Sequence, residues 1–312
     1  MTTTTMKAAV IHQPGSPEVL KIEHRPIPTP TPGQVLIQIK AFGLNRSELF
    51  TRQGHSPGVK FPRILGIEAT GIVSSCPGNE FKIGEVVVTA MGGMGRDFNG
   101  GYAEYTCASA KNVQVIDAEL ELSWEVLGAM PEMLQTAWGA LFKALRLGGG
   151  ERLLIRGGTS SVGLAAAAML GITGFLLERG AHEVLVDDGE IAGRVVGEKW
   201  DKVLELVGTS TLRDSLRCVK EGGCVCMAGI VGNQWTFDGF SPMDDIPTAV
   251  NLTTYSGGPN EFMATPLGEL ARQIKEGKLK IQIGRVFKLD EIVEAHRLME
   301  ENSAGGKIVV LT

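Results

Sequence analysis

The chain has 312 residues, 43% of them hydrophobic and 21% charged, with a formal net charge of −5 at pH 7. Such a composition belongs to a soluble α/β protein long enough for two domains, and the acidic balance excludes a general nucleic-acid surface. No apolar run is long enough to span a bilayer, and the start, Met1-Thr-Thr-Thr-Thr-Met6, lacks the basic and apolar sections of a secretory signal, so the sequence predicts a cytoplasmic protein with no membrane partner.

Residues 7 to 120 read as mostly β. Lys7–His12, Leu20–His24, Val35–Phe42, Thr70–Ser75, Glu85–Ala90 and Tyr102–Cys107 are short apolar or alternating runs. Pro26-Ile-Pro-Thr-Pro-Thr-Pro-Gly33 and Pro77-Gly-Asn79 punctuate them, and many short strands with such turns predict a small barrel. The proline-rich run is expected to be an ordered surface loop, because strands resume on both sides. The pattern changes near Leu122. Ser123 is a good N-cap, and Ala129 to Leu145 carries apolar residues at helical spacing, interrupted by Pro131.

Next comes Glu151-Arg-Leu-Leu-Ile-Arg-Gly-Gly-Thr-Ser-Ser-Val-Gly163-Leu-Ala-Ala-Ala-Ala168. Strand, glycine turn and small-residue helix follow in the order of a βαβ phosphate-binding unit. Gly157 and Gly158 permit a tight turn. The backbone N–H groups of Thr159, Ser160, Ser161, Val162 and Gly163 would face a phosphate at the helix start, where the helix dipole favours an anion. Gly163 and the alanines would let the helix pack close to its sheet. The spacing is Gly158-x-x-x-x-Gly163 rather than G-x-G-x-x-G, and a corner that uses glycine for geometry alone is the competing reading.

Beyond the corner, Glu183–Val186, Lys202–Val207 and Gly223–Ala228 read as strands, with a helix at Thr211–Lys220 between two of them. Strands alternating with helices predict a parallel sheet. Further helices are expected at Pro266–Gly277 and Asp290–Asn302, and a last strand at Lys307–Leu311. The five cysteines, Cys76, Cys107, Cys218, Cys224 and Cys226, form no framework and predict reduced thiols. Cys224 and Cys226 share one face of a strand, so a metal pair is conceivable. With no second Cys or His pair beside them, core packing is the stronger reading.

The segments Met6-Lys-Ala-Ala-Val10, Pro32-Gly-Gln-Val-Leu-Ile37, Gly43-Leu-Asn-Arg-Ser47, Arg52-Gln-Gly54, Gly66-Ile-Glu-Ala-Thr-Gly71, Gly100-Gly-Tyr-Ala-Glu-Tyr105, Gln135-Thr-Ala-Trp138 and Gly158–Gly163 together resemble the medium-chain dehydrogenase/reductase superfamily. The resemblance is to its zinc-free quinone oxidoreductase branch and runs from Met6 to Thr312. It implies an α/β fold of two domains: a GroES-like β-barrel in 1–122 and 257–312, and a Rossmann-type doubly wound parallel sheet in 123–256. It also implies transfer of hydride from NADPH to a small-molecule substrate, a quinone, enone or other activated double bond, in the cleft between domains. Members commonly join two Rossmann edge strands in a homodimer, and Val250-Asn-Leu-Thr-Thr-Tyr-Ser256 is a β-branched, uncharged run suited to that edge.

The same resemblance assigns site residues. In the zinc-dependent branch a cysteine ligand stands at the position of Asn45 and a histidine ligand at that of Ile67. Neither residue is a good zinc donor, and Gly93-Met-Gly-Arg-Asp-Phe98 replaces the four-cysteine lobe, so no zinc or other metal is expected. Asn45, Arg46 and Phe50 fall where the family lines its substrate cleft, with Tyr102 and Met133 expected to face it. Thr136 matches the threonine beside the nicotinamide. His55, in a Gly-Pro loop near Arg52, is the histidine expected near the cleft. The plain alternatives are a turn residue for Asn45 and a helix hydroxyl bonded to its own backbone for Thr136.

One part of the family pattern fails. Where a second strand with ribose- and 2′-phosphate-binding residues is expected, the first helix runs directly into Ala181-His-Glu-Val-Leu-Val-Asp-Asp-Gly189. About twenty residues, one strand–helix segment of the sheet, are missing by comparison with the family's strand order. Two repairs are open. The next strand slides in beside Leu153–Ile155, which places Asp187 or Asp188 at its carboxyl end to hold a ribose and favours NADH. Otherwise the adenosine pocket is lost. The cofactor is accordingly expected to be NADP or NAD, held weakly or not at all. The sequence therefore predicts a zinc-independent NAD(P)H-dependent reductase of quinones or α,β-unsaturated carbonyl compounds. A redox-neutral enzyme or ligand-binding protein that keeps the fold is the alternative.

Overall fold

The computed structural model describes residues 4–171, 183–194 and 199–312. In chain order the first elements are β1 (Thr5–Ile11), β2 (Lys21–Pro26), β3 (Gln34–Gly43), α1 (Arg46–Arg52), β4 (Arg63–Ile64), β5 (Glu68–Ser75), β6 (Val86–Ala90), β7 (Tyr105–Ser109) and β8 (Gln114–Val115). Then follow α2 (Trp124–Ala129), α3 (Pro131–Trp138), β9 (Leu153–Arg156), α4 (Ser161–Met169), β10 (Trp200–Glu205), α5 (Thr209–Cys218) and β11 (Val219–Met227). The last are α6 (Pro242–Asp245), β12 (Asn251–Thr254), α7 (Pro259–Ala264), α8 (Leu267–Lys275), β13 (Ile283–Lys288), α9 (Ile292–Glu300) and β14 (Lys307–Leu311). The chain divides into two compact units, Met1–Gln135 with Gly257–Thr312, and Thr136–Ser256.

The first unit is the GroES-like domain, antiparallel except for the parallel pair β13–β14. Its larger sheet has the order β13-β14-β3-β5-β6-β8, with β7 also on β3, and a smaller one has the order β2-β1-β4. The alternating runs seen in the sequence become one buried face: Val35, Ile37, Val73, Val87, Ala108 and Val113 pack with Cys76 into a core cluster. The returning strand β14 pairs with β3. This unit extends past Leu122 to Gln135, because α2 lies against β3 and β14. Gly128 is the contact point: a side chain there would meet the Cβ of Ala41 and a methyl of Val309. Thr70 adds a hydroxyl bond to the Leu127 carbonyl at 3.1 Å. Ser123 caps α2 by accepting from the Val126 N–H, as its position suggested.

The second unit is the Rossmann-type parallel sheet. Its order is β12-β11-β10-β9, all neighbours parallel, and β12 closes one side. Leu212, Leu216, Val203 and Val225 form the core between sheet and α5. The expected strand at Glu183–Val186 is not one. Those residues form no ladder with β9, and among the described residues β9 pairs only with β10. Side chains take over the attachment: Asp187 grips the buried Arg156 at the end of β9. With no sheet face to cover them, Val184 and Val186 are left exposed. The remainder of the segment expected to close the gap lies outside the described residues. Among the described residues no helix is long and apolar enough to cross a membrane. All five cysteines are free thiols, and burial pushes the Cys226 thiol up to about 12.

Candidate functional site

In the first unit the site is built around Asn45. It ends β3's exit turn in an extended conformation and opens α1, and Glu48 reaches back to accept its backbone N–H at 3.0 Å. That is one half of a capping box. The second Glu48 oxygen accepts the Ile67 N–H at 3.0 Å, so this one carboxylate ties the start of α1 to the segment leading into β5. The Asn45 amide donates to Glu68 at 2.9 Å and to Glu48 at 3.2 Å, while its oxygen accepts from the Lys307 ammonium at 2.5 Å. Lys307 also lies 2.9 Å from Glu68 and 3.7 Å from Glu132, and the other Glu68 oxygen accepts the Glu132 N–H at 2.8 Å.

The centre of the cluster is out of reach of water: Lys307 is 1% exposed and Glu68 0%. Gly43 makes room for it, since a side chain there would collide with both. Burial pushes Glu48 up from 4.5 to about 7, helped by the neighbouring Glu68 charge. Burial alone would lower the Lys307 ammonium, but Glu68 and Glu132 outweigh it and hold its pKa above the ordinary value. These residues do not fit a zinc ion. Of the two positions, Asn45 offers only a neutral amide and Ile67 no ligating atom, and an ammonium already neutralises Glu68. Among the described residues no group of three or more His, Cys, Asp and Glu side chains could hold a metal.

The other expected pocket residues are distributed unevenly. Arg46 follows Asn45 and is half-buried, which lowers its pKa. Phe50 is buried on α1, edge-on to the exposed His55 with ring centroids 6.4 Å apart. Thr136 and Met133 are buried on α3. Tyr102 offers no atom to solvent: it is 0% exposed, stacked on Phe42 at 4.8 Å, and its hydroxyl meets His296 Nε2 at 3.0 Å. Both hydrogens of the Asn45 amide are spent on carboxylates, so that side chain turns inward. The sequence reading missed Lys307, Glu48, Glu132 and Gln135. Gln135 is 0% exposed with neither amide atom partnered among the described residues. Its place in Gln135-Thr-Ala-Trp138 was the one available signal.

The Tyr102–His296 pair yields a pH prediction. Burial, with the Arg52 charge nearby, lowers His296 from 6.5 to about 3. The unfolded chain then takes up a proton that the folded core refuses, so this contribution to stability is complete above pH 6.5 and is lost as pH falls towards 3. Urea midpoints measured across that range should fall less steeply for His296→Gln than for the natural chain. Parallel curves would remove His296 from the acid response.

In the second unit the corner begins with Gly157 at φ +79°. Ser160 caps α4, its hydroxyl oxygen accepting the Gly163 N–H at 3.1 Å. The Ser161 and Val162 N–H groups have no acceptor among the described residues, as expected of a first helical turn. Gly163 permits the close approach of helix and turn: a side chain there would meet the Gly157 oxygen at 2.6 Å and the Gly158 Cα at 2.8 Å. Thr159 is exposed at the tip. One residue ahead of the corner, Arg156 is buried, and each of its three nitrogens donates. It donates to Asp187 through Nε at 2.7 Å and Nη2 at 2.8 Å, and through Nη1 to Asp214 at 2.7 Å and to Ser215 and the Thr211 carbonyl at 3.1 Å each. The Arg156 bond holds the Asp187 carboxyl below the usual carboxylate range. Asp188 pairs at the surface with Arg194 at 2.7 Å.

Comparison with known proteins agrees with both units. Residues 31–118 match the profile of the alcohol dehydrogenase GroES-like domain, and residues 179–310 that of the zinc-binding dehydrogenases. The chain is 29% identical to the quinone oxidoreductase of Pongo abelii over 333 aligned positions, covering 98% of each. It is 26% identical to the 2-haloacrylate reductase of a Burkholderia species, covering 97% of this chain and 98% of the other. The structure of the quinone oxidoreductase from Coxiella burnetii superposes with a TM-score of 0.84 at 27% identity, covering 99% of both chains. An alignment of 333 positions exceeds the 312 residues present, so the Pongo abelii relative has residues this chain lacks. Likeness of this kind extends from end to end and includes both units, and the chain belongs to the medium-chain dehydrogenase/reductase superfamily of oxidoreductases.

Proposed function

We propose that the chain is an NAD(P)H-dependent reductase of quinones or α,β-unsaturated carbonyl compounds that works without zinc. The observation that carries this reading is the corner at the start of α4, where the Ser161 and Val162 N–H groups lack acceptors and Gly163 leaves the approach open. Two orphan donors at the positive end of a helix suit the pyrophosphate of a dinucleotide. A nicotinamide cofactor, when bound, supplies the hydride. The chain's own residues supply position and charge. Arg46 is the donor assigned to the acceptor's oxygen, because the Asn45 amide is consumed by Glu48 and Glu68. A half-buried guanidinium stabilises the negative charge that develops there on reduction. The relatives support the substrate class, since a quinone and a haloacrylate are both conjugated acceptors.

At the adenosine end the reading favours neither NADPH nor NADH strongly. The cation next to the corner, Arg156, is already bound by Asp187 and Asp214. That same engagement, with β9 at the margin of the described sheet, favours the second reading, a redox-neutral protein without a nicotinamide. Oxidation of NADPH and NADH, followed by absorbance with a naphthoquinone and with an α,β-unsaturated ketone, tests the proposal. Turnover is expected with at least one pair, and Arg46→Gln should lower kcat about 100-fold while cofactor affinity is kept. Cofactor binding without turnover of either acceptor would overturn it.

A further inference from the structure

A cavity of about 730 Å³ lies within the first unit, and neither Asn45, Arg46, Phe50 nor Tyr102 lines it. Its walls are β7 along its whole length, the loop 91–100, the face of β1 that carries Met6 and Val10, and the start of α7. That volume is in the range of small-molecule sites. Its apolar lining includes Met6, Met91, Met94 and Phe98, and methionine fills irregular space at little cost, which suits a flexible chain.

Its polar lining is one-sided. Arg25, Arg63 and Lys111 border the cavity, and no aspartate or glutamate does among the described residues. Arg25 has Glu23 at 3.0 Å. Neither Arg63 nor Lys111 has an acidic partner among the described residues. Two buried donors in the same wall have no hydrogen-bond partner among the described residues: Arg63 Nε and the hydroxyl of Thr106, a residue 2% exposed. Polar groups are rarely buried without partners, because their desolvation is then uncompensated. Two cations, Arg63 and Lys111, in a lining with no carboxylate favour an anion, and the methionine-rich remainder favours an apolar body.

We infer that this cavity binds an amphipathic monocarboxylate, its head on Arg63 with Lys111 at the rim and its chain along Met91, Met94 and Phe98. Calorimetric titration of the full chain with decanoate, decanol and decylamine tests this. Decanoate is expected to bind at least about tenfold more tightly than decanol, in keeping with a charge-assisted bond, and decylamine not to bind. Arg63→Gln should weaken decanoate about tenfold and leave decanol unchanged. Lys111→Gln, at an exposed position that folding does not depend on, should weaken decanoate by a smaller factor. Ser109→Trp, also exposed and on the wall, should abolish binding by filling the entrance. Equal affinity for decanoate and decanol, no binding of decanoate, or decanoate binding unchanged in Ser109→Trp would each overturn the inference.

Discussion

Lys307→Met is expected to destabilise the first unit by about 3–5 kcal/mol, the usual cost of removing one partner from a buried ion pair. Methionine keeps the length and most of the volume of lysine, so the loss comes from charge. Glu68 at 0% exposure would keep its carboxylate with no ammonium at 2.9 Å, and the Asn45 oxygen would lose its donor. Urea denaturation with hydrogen exchange read on β3 and β14 measures it. Adding Glu68→Gln should recover part of the loss, because the uncompensated charge is then gone and the two changes act on one interaction. A loss below about 1 kcal/mol, the scale of an exposed pair, would mean that the cluster is solvated in solution.

Arg156→Met should have the largest effect in the second unit, about 3 kcal/mol by the same reasoning. Arg156 joins β9 to α5 through Asp214 and Ser215, and to the segment 187–194 through Asp187. Asp214 in turn accepts the Ile191 and Ala192 N–H groups at 2.7 and 3.1 Å. Without the guanidinium that segment keeps its bonds to Asp214 but loses its tie to β9, and limited proteolysis should cut it earlier. The order of effects is part of the expectation. Asp187→Asn removes one arm and should cost about 1–2 kcal/mol, whereas Asp188→Asn touches only exposed partners, Arg194 and the Glu190 N–H, and should change nothing measurable. Equal losses for Asp187→Asn and Asp188→Asn would contradict the buried role of Arg156.

The strands of the first unit were legible because proline and glycine mark their ends and alternation marks their buried face. The last strand coincides with Lys307–Leu311, and Ser123 and Gly163 carry out the cap and the close approach that their residue types suggested. The buried cluster was not legible. Asn45, Glu68, Glu132 and Lys307 are far apart in sequence, and a lysine at the start of a strand ordinarily reads as a solvated end. Only β14 pairing with β3 brings it to Glu68. Asn45 was legible as a site position, but not the direction of its amide, which depends on Glu48, Glu68 and Lys307 together. The strand reading of Glu183–Val186 failed for a different reason. A short apolar run shows that side chains suit a buried strand, not that a sheet edge takes it, and Asp187 holds that segment by its side chain.

The most direct test of the account is calorimetric titration of the natural chain and of Gly163→Val with NADPH and NADH. Valine would place carbon against the Gly157 oxygen and the Gly158 Cα, which forces the turn away from the helix start and disrupts the corner. The account predicts that the natural chain binds both cofactors, with NADPH no tighter than NADH because the Arg156 charge is already paired with Asp187 and Asp214. Gly163→Val should weaken both by at least about tenfold. Binding of neither cofactor to the natural chain, or equal binding by Gly163→Val, would contradict the assignment of the corner to a nicotinamide dinucleotide.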